Sequence, residues 1–299
     1  MKSAAAAFAA LAFCGAASAQ DLPPVDITGL ASDMAVAPTL PTLTKIVLVG
    51  DSTVQVNSGW GGAFCASHVT TQVACIDLAK GGRSSGSYRA ERWWDIAVAE
   101  MKSGGYAQTY VLIQFGHNDQ PGKPHRSTDL TTQFPVNLRH MIDDARAAGA
   151  VPILVTPLTR RQFANGQLDR DLVPWANAVR KVAIELNVPL LDLNADSGDA
   201  VQAMGAEAAT RLSQVPPSPE VLAAAQTGTT IDAKTGVAPL EPSVPPTDEE
   251  INVRAEPLGD PKLAFDYTHL GRDGADHFAR IVTSELARAV PALRRDLLP

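Results

Sequence analysis

Three short blocks of small and polar residues could together carry out acyl transfer. Ser52 lies in Gly-Asp-Ser-Thr after one apolar segment, Gly82 follows a second such segment, and Asn118 lies in Gly-His-Asn-Asp after a third. A serine hydroxyl becomes a nucleophile when a base removes its proton, and N–H groups can stabilise the oxyanion that forms on the attacked carbonyl. Taken singly, each block is more typical of an ordinary turn than of a catalytic site.

A fourth block could supply the base. Asp266 and His269 lie three residues apart in Asp-Tyr-Thr-His, before the last amphipathic segment of the chain. An aspartate at this spacing can fix the tautomer of the imidazole, so that the other ring nitrogen faces a nucleophile. The alternative is a structural histidine beside the start of a helix. Ser52, Asp266 and His269 are therefore the candidate catalytic residues.

A metal site in the third block is a weaker hypothesis. His117, Asp119 and His125 carry side chains of the types that bind zinc. The same loop carries Asn118, however, and acyl transfer already accounts for it. We expect neither a metal nor a cofactor.

The elements that would position these blocks alternate along the chain. Strands that are apolar throughout, separated by helices, are typical of a parallel sheet covered on both faces, and ligands then bind at the carboxyl ends of the strands. The sequence therefore predicts a three-layer α/β/α fold with a five-stranded parallel sheet. The predicted strands are 45–50, 73–78, 110–115, 151–156 and 188–193. The predicted helices are near 60–70, 90–102, 128–148, 171–187 and 271–290, with a further helix considered at 201–212.

Together the four blocks resemble those of the SGNH, or GDSL-like, hydrolases, named for a Ser, a Gly, an Asn and a His. Finer details resemble the rhamnogalacturonan acetylesterase branch: Gly-Asp-Ser-Thr in the first block, Gly-Trp-Gly at 59–61, and the Asp-x-Thr-His form of the last block. The resemblance covers 44–196 and 261–290. It implies a flavodoxin-like arrangement of the sheet and its helices.

The resemblance also implies a role for each block. Ser52 would be the nucleophile, His269 its general base and then general acid, and Asp266 the group that orients the imidazole. The oxyanion hole would consist of the backbone N–H groups of Ser52 and Gly82 and the side chain of Asn118.

The implied activity is that of a secreted esterase removing acetyl groups from a plant polysaccharide, with rhamnogalacturonan favoured and acetylated xylan next. Trp60, Arg83 and Tyr88 are expected to contact the substrate, and Trp93 and Trp94 are further candidates, at least one of them expected in the core. The alternatives are a lipase, lysophospholipase or thioesterase of the same superfamily. A non-catalytic carbohydrate-binding module is disfavoured because all four blocks are intact.

Charge and the N-terminal residues bear on location and partners. The 299 residues carry 25 Lys+Arg against 32 Asp+Glu, a formal charge of −7, which disfavours nucleic-acid binding and would weakly repel an acidic polymer. Lys2, the apolar run that follows and Ala-Ser-Ala at 17–19 predict a secretory signal peptide over 1–19. A linker over 20–43 and a hydrolase domain over 44–299 would follow. We expect a secreted or periplasmic protein that does not bind membranes; its oligomeric state stays open.

Two features have open interpretations. The proline-rich insertion at 197–260 could be a lid, a substrate wall or a loop with no role, and its part at 226–250 is expected to be extended. Cys65 and Cys75 could form a disulfide in an oxidising compartment or remain thiols.

Overall fold

One parallel sheet of five strands lies at the centre of the protein, as predicted. The computed structural model describes residues 43–231 and 264–298. The strands of this sheet are β1 (Leu43–Gly50), β2 (Val73–Asp77), β3 (Tyr106–Gln114), β4 (Val151–Val155) and β7 (Leu190–Leu191); a separate hairpin consists of β5 (Phe163–Ala164) and β6 (Gln167–Leu168). Their order in the sheet is β2-β1-β3-β4-β7, and every neighbouring pair is parallel.

Helices cover both faces of the sheet. Alternate residues of β1 belong to two separate apolar clusters, Ile46 and Leu48 to one and Val47 and Val49 to the other, because successive side chains of a strand point to opposite faces. The described helices are α1 (Gly61–Ser67), α2 (Ser85–Ala90), α3 (Trp93–Lys102), α4 (Gln133–Ala147), α5 (Val173–Glu185), α6 (Leu193–Met204), α7 (Ala206–Thr210), α8 (Pro219–Gln226) and α9 (Arg272–Ala289), followed by a 3-10 helix at Pro291–Asp296. The three-layer α/β/α prediction is thus confirmed.

Two predicted elements differ from the structure. The helix predicted near 90–102 begins only at Trp93, because Arg92 has a left-handed backbone (φ 67°) that no α-helix continues through. A separate helix, α2, precedes it and was not predicted; it has its own capping box between Ser84 and Ser87. The fifth strand has only two residues, since α6 begins at Leu193.

The proline-rich insertion is partly helical. Its described portion, 197–231, contains the end of α6, all of α7 and all of α8, so the single helix considered at 201–212 is wrong in its bounds. Gly205 (φ 80°) separates α6 from α7. Most of the extended loop predicted at 226–250 lies outside the described residues, as do the predicted signal peptide and nearly all of the linker.

A disulfide between Cys65 and Cys75 joins α1 to the edge strand β2, with the two Cα atoms 5.4 Å apart. This resolves the question that the sequence left open. Among the residues that the structure describes, no helix has the length and apolar character needed to cross a membrane.

A buried carboxyl on α9 makes stability depend on pH. Glu285 is 4% exposed, and burial, together with the carboxylates of Asp196 and Asp192, raises its pKa from 4.5 to about 8 despite the opposing effect of Arg288. The native state therefore keeps a proton that the unfolded chain releases, so stability is lost as the pH rises from about 4.5 to about 8. As the pH rises between those values, the free energy of unfolding should fall less in Glu285→Gln than in the wild type, by on the order of 3 kcal/mol.

Urea denaturation at pH 5 and pH 8 measures this difference. Glu185→Gln, which changes a partly exposed carboxylate on α5, is the matched control. Equal pH dependence of the Glu285→Gln variant and the wild type would contradict the expected burial effect.

Candidate active site

Ser52, His269 and Asp266 form a continuous hydrogen-bonded chain. The distance from Ser52 Oγ to His269 Nε2 is 2.8 Å, and that from His269 Nδ1 to Asp266 Oδ2 is 2.6 Å. Because an ionised carboxylate can only accept, Nδ1 carries the ring proton and Nε2 accepts from the serine hydroxyl. In this arrangement the imidazole can receive the serine proton.

The turn after β1 fixes the serine. Asp51 is fully buried, and its Oδ1 accepts from the N–H of Thr53 at 2.8 Å and from the Thr53 hydroxyl at 2.7 Å. A Cβ on Gly50 would lie 2.5 Å from Val54 Cγ2 and 2.8 Å from the carbonyl oxygen of Gln114, so only glycine fits where β1 ends. Ser58 donates its hydroxyl to the Ser52 carbonyl at 2.7 Å.

Asp266 organises its own turn. Its Oδ1 accepts from the backbone N–H groups of Thr268 (2.8 Å) and His269 (2.7 Å), while Oδ2 accepts from the imidazole. Burial alone would raise the pKa of Asp266, but these hydrogen bonds and the charge of His269 outweigh it and lower the pKa to about 2. The carboxylate is therefore ionised throughout the neutral range.

Arg161 stabilises the turn at 266–269, and the sequence alone did not indicate this role. Its side chain is fully buried and donates to the carbonyl oxygens of Thr268 (3.2 Å) and His269 (2.8 Å), and its backbone N–H donates to Tyr267 (3.0 Å). Burial lowers the pKa of its guanidinium to about 10, while Asp266 acts in the opposite direction. Its position just beyond β4, at the carboxyl edge of the sheet, was the available signal.

Arg161→Met should lower both stability and turnover. Two hydrogen bonds from a charged donor would be lost, which we expect to reduce the free energy of unfolding by about 2–4 kcal/mol. Displacement of the His269 backbone should lower kcat more than it changes KM. Denaturation and steady-state kinetics measure these effects, with Arg211→Met, which removes a partly exposed helix ion pair, as the control. Unchanged kcat in a folded variant would refute the positioning role.

The three groups predicted to form an oxyanion hole have suitable donor capacity. Within the described part of the chain, neither the Ser52 N–H nor the Gly82 N–H donates a hydrogen bond. Gly82 has a left-handed backbone (φ 74°), a conformation that favours glycine. Asn118 is buried, and one N–H of its amide donates to the Arg83 carbonyl at 3.1 Å, so the second N–H can serve an oxyanion.

The structure corrects the prediction that Trp60 and Tyr88 contact the substrate. Both side chains are fully buried. Trp60 Nε1 donates to Gln114 Oε1 at 3.0 Å, and the Tyr88 hydroxyl donates to the Leu78 carbonyl at 2.7 Å. Large rings with a satisfied polar atom stabilise a core well, and the sequence alone did not show which side of the chain they face.

The other predicted contacts have mixed outcomes. Trp94 is buried in the core, whereas Trp93 is half-buried, with the ammonium of Lys80 4.4 Å from its ring centre. Arg83 is 5% exposed, and its Nε donates to Glu91 at 2.8 Å. Arg83 nevertheless lines a cavity beside Gly82.

The histidines and aspartate considered as metal ligands have other surroundings. His117 is fully buried, with Nδ1 3.6 Å from Asp51 Oδ2, and burial lowers its pKa. Asp119 accepts from the hydroxyls of Ser85 (2.6 Å) and Thr128 (2.9 Å), which joins the third block to the second. His125 lines the cavity beside Gly82.

Proteins similar to this chain are acyl hydrolases. Residues 48–231 match the GDSL-like lipase/acylhydrolase family. The chain is 38% identical to the rhamnogalacturonan acetylesterase RhgT of Bacillus subtilis over 176 residues, which cover 56% of this chain and 72% of that protein. It is 35% identical over 154 residues to YesY of the same organism, named a probable rhamnogalacturonan acetylesterase, with coverage of 50% and 69%.

A solved structure shares the fold. Protein YXIM of Bacillus subtilis has a TM-score of 0.55 at 23% identity, and the match covers 83% of this chain and 57% of that chain. The sequence similarities confirm the resemblance to the rhamnogalacturonan acetylesterase branch. The chain therefore belongs to the GDSL-like lipase/acylhydrolase family, and it is a serine esterase.

Proposed function

We propose that the chain hydrolyses acetyl esters of a polysaccharide, with Ser52 as nucleophile and His269 as base. The hydrogen-bonded chain from Ser52 through His269 to Asp266 is the observation that carries this proposal. Ser52 Oγ attacks the acetyl carbonyl carbon while its proton passes to His269 Nε2. Asp266 stays ionised and stabilises the imidazolium that forms.

Collapse of the tetrahedral intermediate then breaks the bond between the carbonyl carbon and the sugar oxygen, which takes the proton from His269. A water molecule attacks the acetyl-serine, again through His269, and acetate leaves as Ser52 regains its proton. In both steps the N–H groups of Ser52 and Gly82 and the amide of Asn118 donate to the oxyanion. Each such donor contributes about 3 kcal/mol of transition-state stabilisation.

Rhamnogalacturonan is the proposed polymer. The support is the similarity to RhgT, named a rhamnogalacturonan acetylesterase, and to YesY, named a probable one, over more than two thirds of each. The first and last blocks, Gly-Asp-Ser-Thr and Asp-Tyr-Thr-His, extend the resemblance to the site itself.

An exported location is the second part of the proposal. The disulfide between Cys65 and Cys75 supports it, because disulfides persist in oxidising compartments and are rare in the cytosol. Expression of the full chain, followed by N-terminal sequencing of the exported product, should give Gln20 as the first residue. Retention of the whole chain in the cytosol would contradict export.

Acetate release from a substrate panel tests the activity. The panel contains acetylated rhamnogalacturonan, acetylated xylan, and the 4-nitrophenyl esters of acetate and octanoate. We expect the highest kcat/KM among the polymers for rhamnogalacturonan, and acetate preferred over octanoate. A preference for acetylated xylan would identify xylan rather than rhamnogalacturonan as the polymer. A preference for octanoate would indicate the lipase or thioesterase class.

A further inference from the structure

A cavity of about 510 Å³ lies directly beside the proposed oxyanion hole. Gly82 belongs to both, and Arg83, His125 and Arg126 form a basic wall of the cavity. The volume exceeds what an acetyl group needs and suits a sugar residue. The cavity can therefore hold a part of the substrate other than the ester under attack.

Arg126 adds to this cavity a positive charge that forms no ion pair within the described residues. Arg83 already pairs with Glu91 at 2.8 Å, and Glu91 is the one carboxylate of the described chain that lines the cavity. Within those residues, no carboxylate pairs with Arg126, whose Nη1 donates to the Gly82 carbonyl at 3.2 Å. A guanidinium has five N–H donors, and its planar fork matches a carboxylate.

Other positive groups lie near Arg126. Burial and the repulsion of Arg83 lower the pKa of Arg126, although Glu91 acts in the opposite direction. Burial and the charges of Arg160 and Arg126 likewise lower the pKa of Lys123, against the weaker attraction of Asp51 and Asp171. Lys123 and Arg126 thus place two partly buried positive charges on one loop, where a bound anion would stabilise them.

The remaining wall suits sugar hydroxyls. Gln133 accepts from the Asp129 N–H through its side-chain oxygen, which leaves its amide nitrogen as a donor at the cavity. Val136 adds an apolar surface that is 44% exposed. A cation beside amide and apolar groups is the composition expected of a site for an acidic sugar.

We propose that this cavity binds the carboxylate of a uronic acid residue next to the acetylated position, with Arg126 as its partner. This site rests on the proposed function, and the uronate carboxylate is the feature by which the enzyme would distinguish its polymer from a neutral one. It also answers the objection from the formal charge of −7, because screening with a length of about 10 Å at 0.1 M salt lets nearby charges outweigh distant ones.

Paired substrates test the proposal. Acetylated rhamnogalacturonan is compared with the same polymer after its uronic acids have been reduced to neutral sugars. The wild type should favour the acidic polymer in kcat/KM by about tenfold, and Arg126→Gln should remove that preference. Lys102→Gln, which removes an exposed charge on α3, should keep it.

A second pair of variants avoids the Arg126 contact with Gly82. Val136→Glu places a negative charge in the cavity and should lower the preference for the acidic polymer, whereas the neutral Val136→Gln should retain it. Equal activity of the wild type on both polymers would overturn the inference and leave the proposed function standing.

Inhibition by an oligosaccharide that carries no ester tests the uronate site independently of which polymer is hydrolysed. Trigalacturonate, which carries no ester, should inhibit hydrolysis of 4-nitrophenyl acetate more strongly than a neutral galactose trisaccharide, and Arg126→Gln should abolish the difference. If neither polymer released acetate while this selective inhibition persisted, the proposed polymer would be wrong and the uronate site retained. Absence of selective inhibition would overturn the site.

Discussion

Ser52→Ala should reduce hydrolysis of 4-nitrophenyl acetate by roughly 10⁴- to 10⁶-fold, the range seen when a serine nucleophile is removed. The hydroxyl is the acceptor of the acetyl group, and its hydrogen bond to His269 at 2.8 Å places the proton where the base can take it. The variant should fold normally, because its backbone remains fixed by Asp51 and Ser58 through contacts that do not involve the lost oxygen.

Ser67→Ala is the matched control for this change. Ser67 is an exposed serine at the end of α1, so its loss should leave kcat and KM unaltered. Residual activity of Ser52→Ala within tenfold of the wild type would mean that another group attacks the ester.

Asp266→Asn should lower kcat by about 10⁴-fold while changing KM little. The pKa of Asp266, about 2, means that wild-type Oδ2 accepts from the imidazole as a carboxylate over the whole working range. An amide presents a donor or a neutral acceptor instead, which favours the wrong tautomer and leaves the imidazolium unstabilised. The loss should be similar from pH 6 to pH 9.

The same substitution has a signature in stability. Since the pKa of Asp266 is lowered from 3.8 to about 2, its ionised form stabilises the native state above about pH 4, and this contribution disappears as the pH falls towards 2. Asp266→Asn should therefore be less stable than the wild type at pH 6 and closer to it in acid. Asp273→Asn, an exposed aspartate on α9, is the control. Full activity in the Asp266→Asn variant would remove the aspartate from the mechanism.

The sequence predicted where the catalytic blocks lie better than it predicted which nearby side chains face the core. Ser52 and Asn118 follow strands that are largely apolar, so parallel pairing had to bring them to one edge of the sheet. The Asp-x-Thr-His spacing likewise predicted the contact between Asp266 and His269 that the structure contains. These predictions depend only on topology and short-range spacing.

Predictions that depended on tertiary packing were less reliable. Trp60 lies close to the nucleophile along the chain, yet its ring is in the core, where it reaches Gln114. Arg161 is an ordinary charged residue in sequence, and its contact with the block at 266–269 spans more than 100 residues. Neither burial nor so distant a pairing is encoded in a local pattern.

Covalent trapping at Ser52 tests the central claim most directly. Incubating the full chain with an aryl phosphonate ester, followed by proteolysis and mass spectrometry, should give one adduct on the peptide that contains Ser52. The adduct should form in proportion to the loss of acetylesterase activity and should be absent from Ser52→Ala. Complete inactivation with Ser52 unmodified, or with the adduct on another residue, would contradict the account.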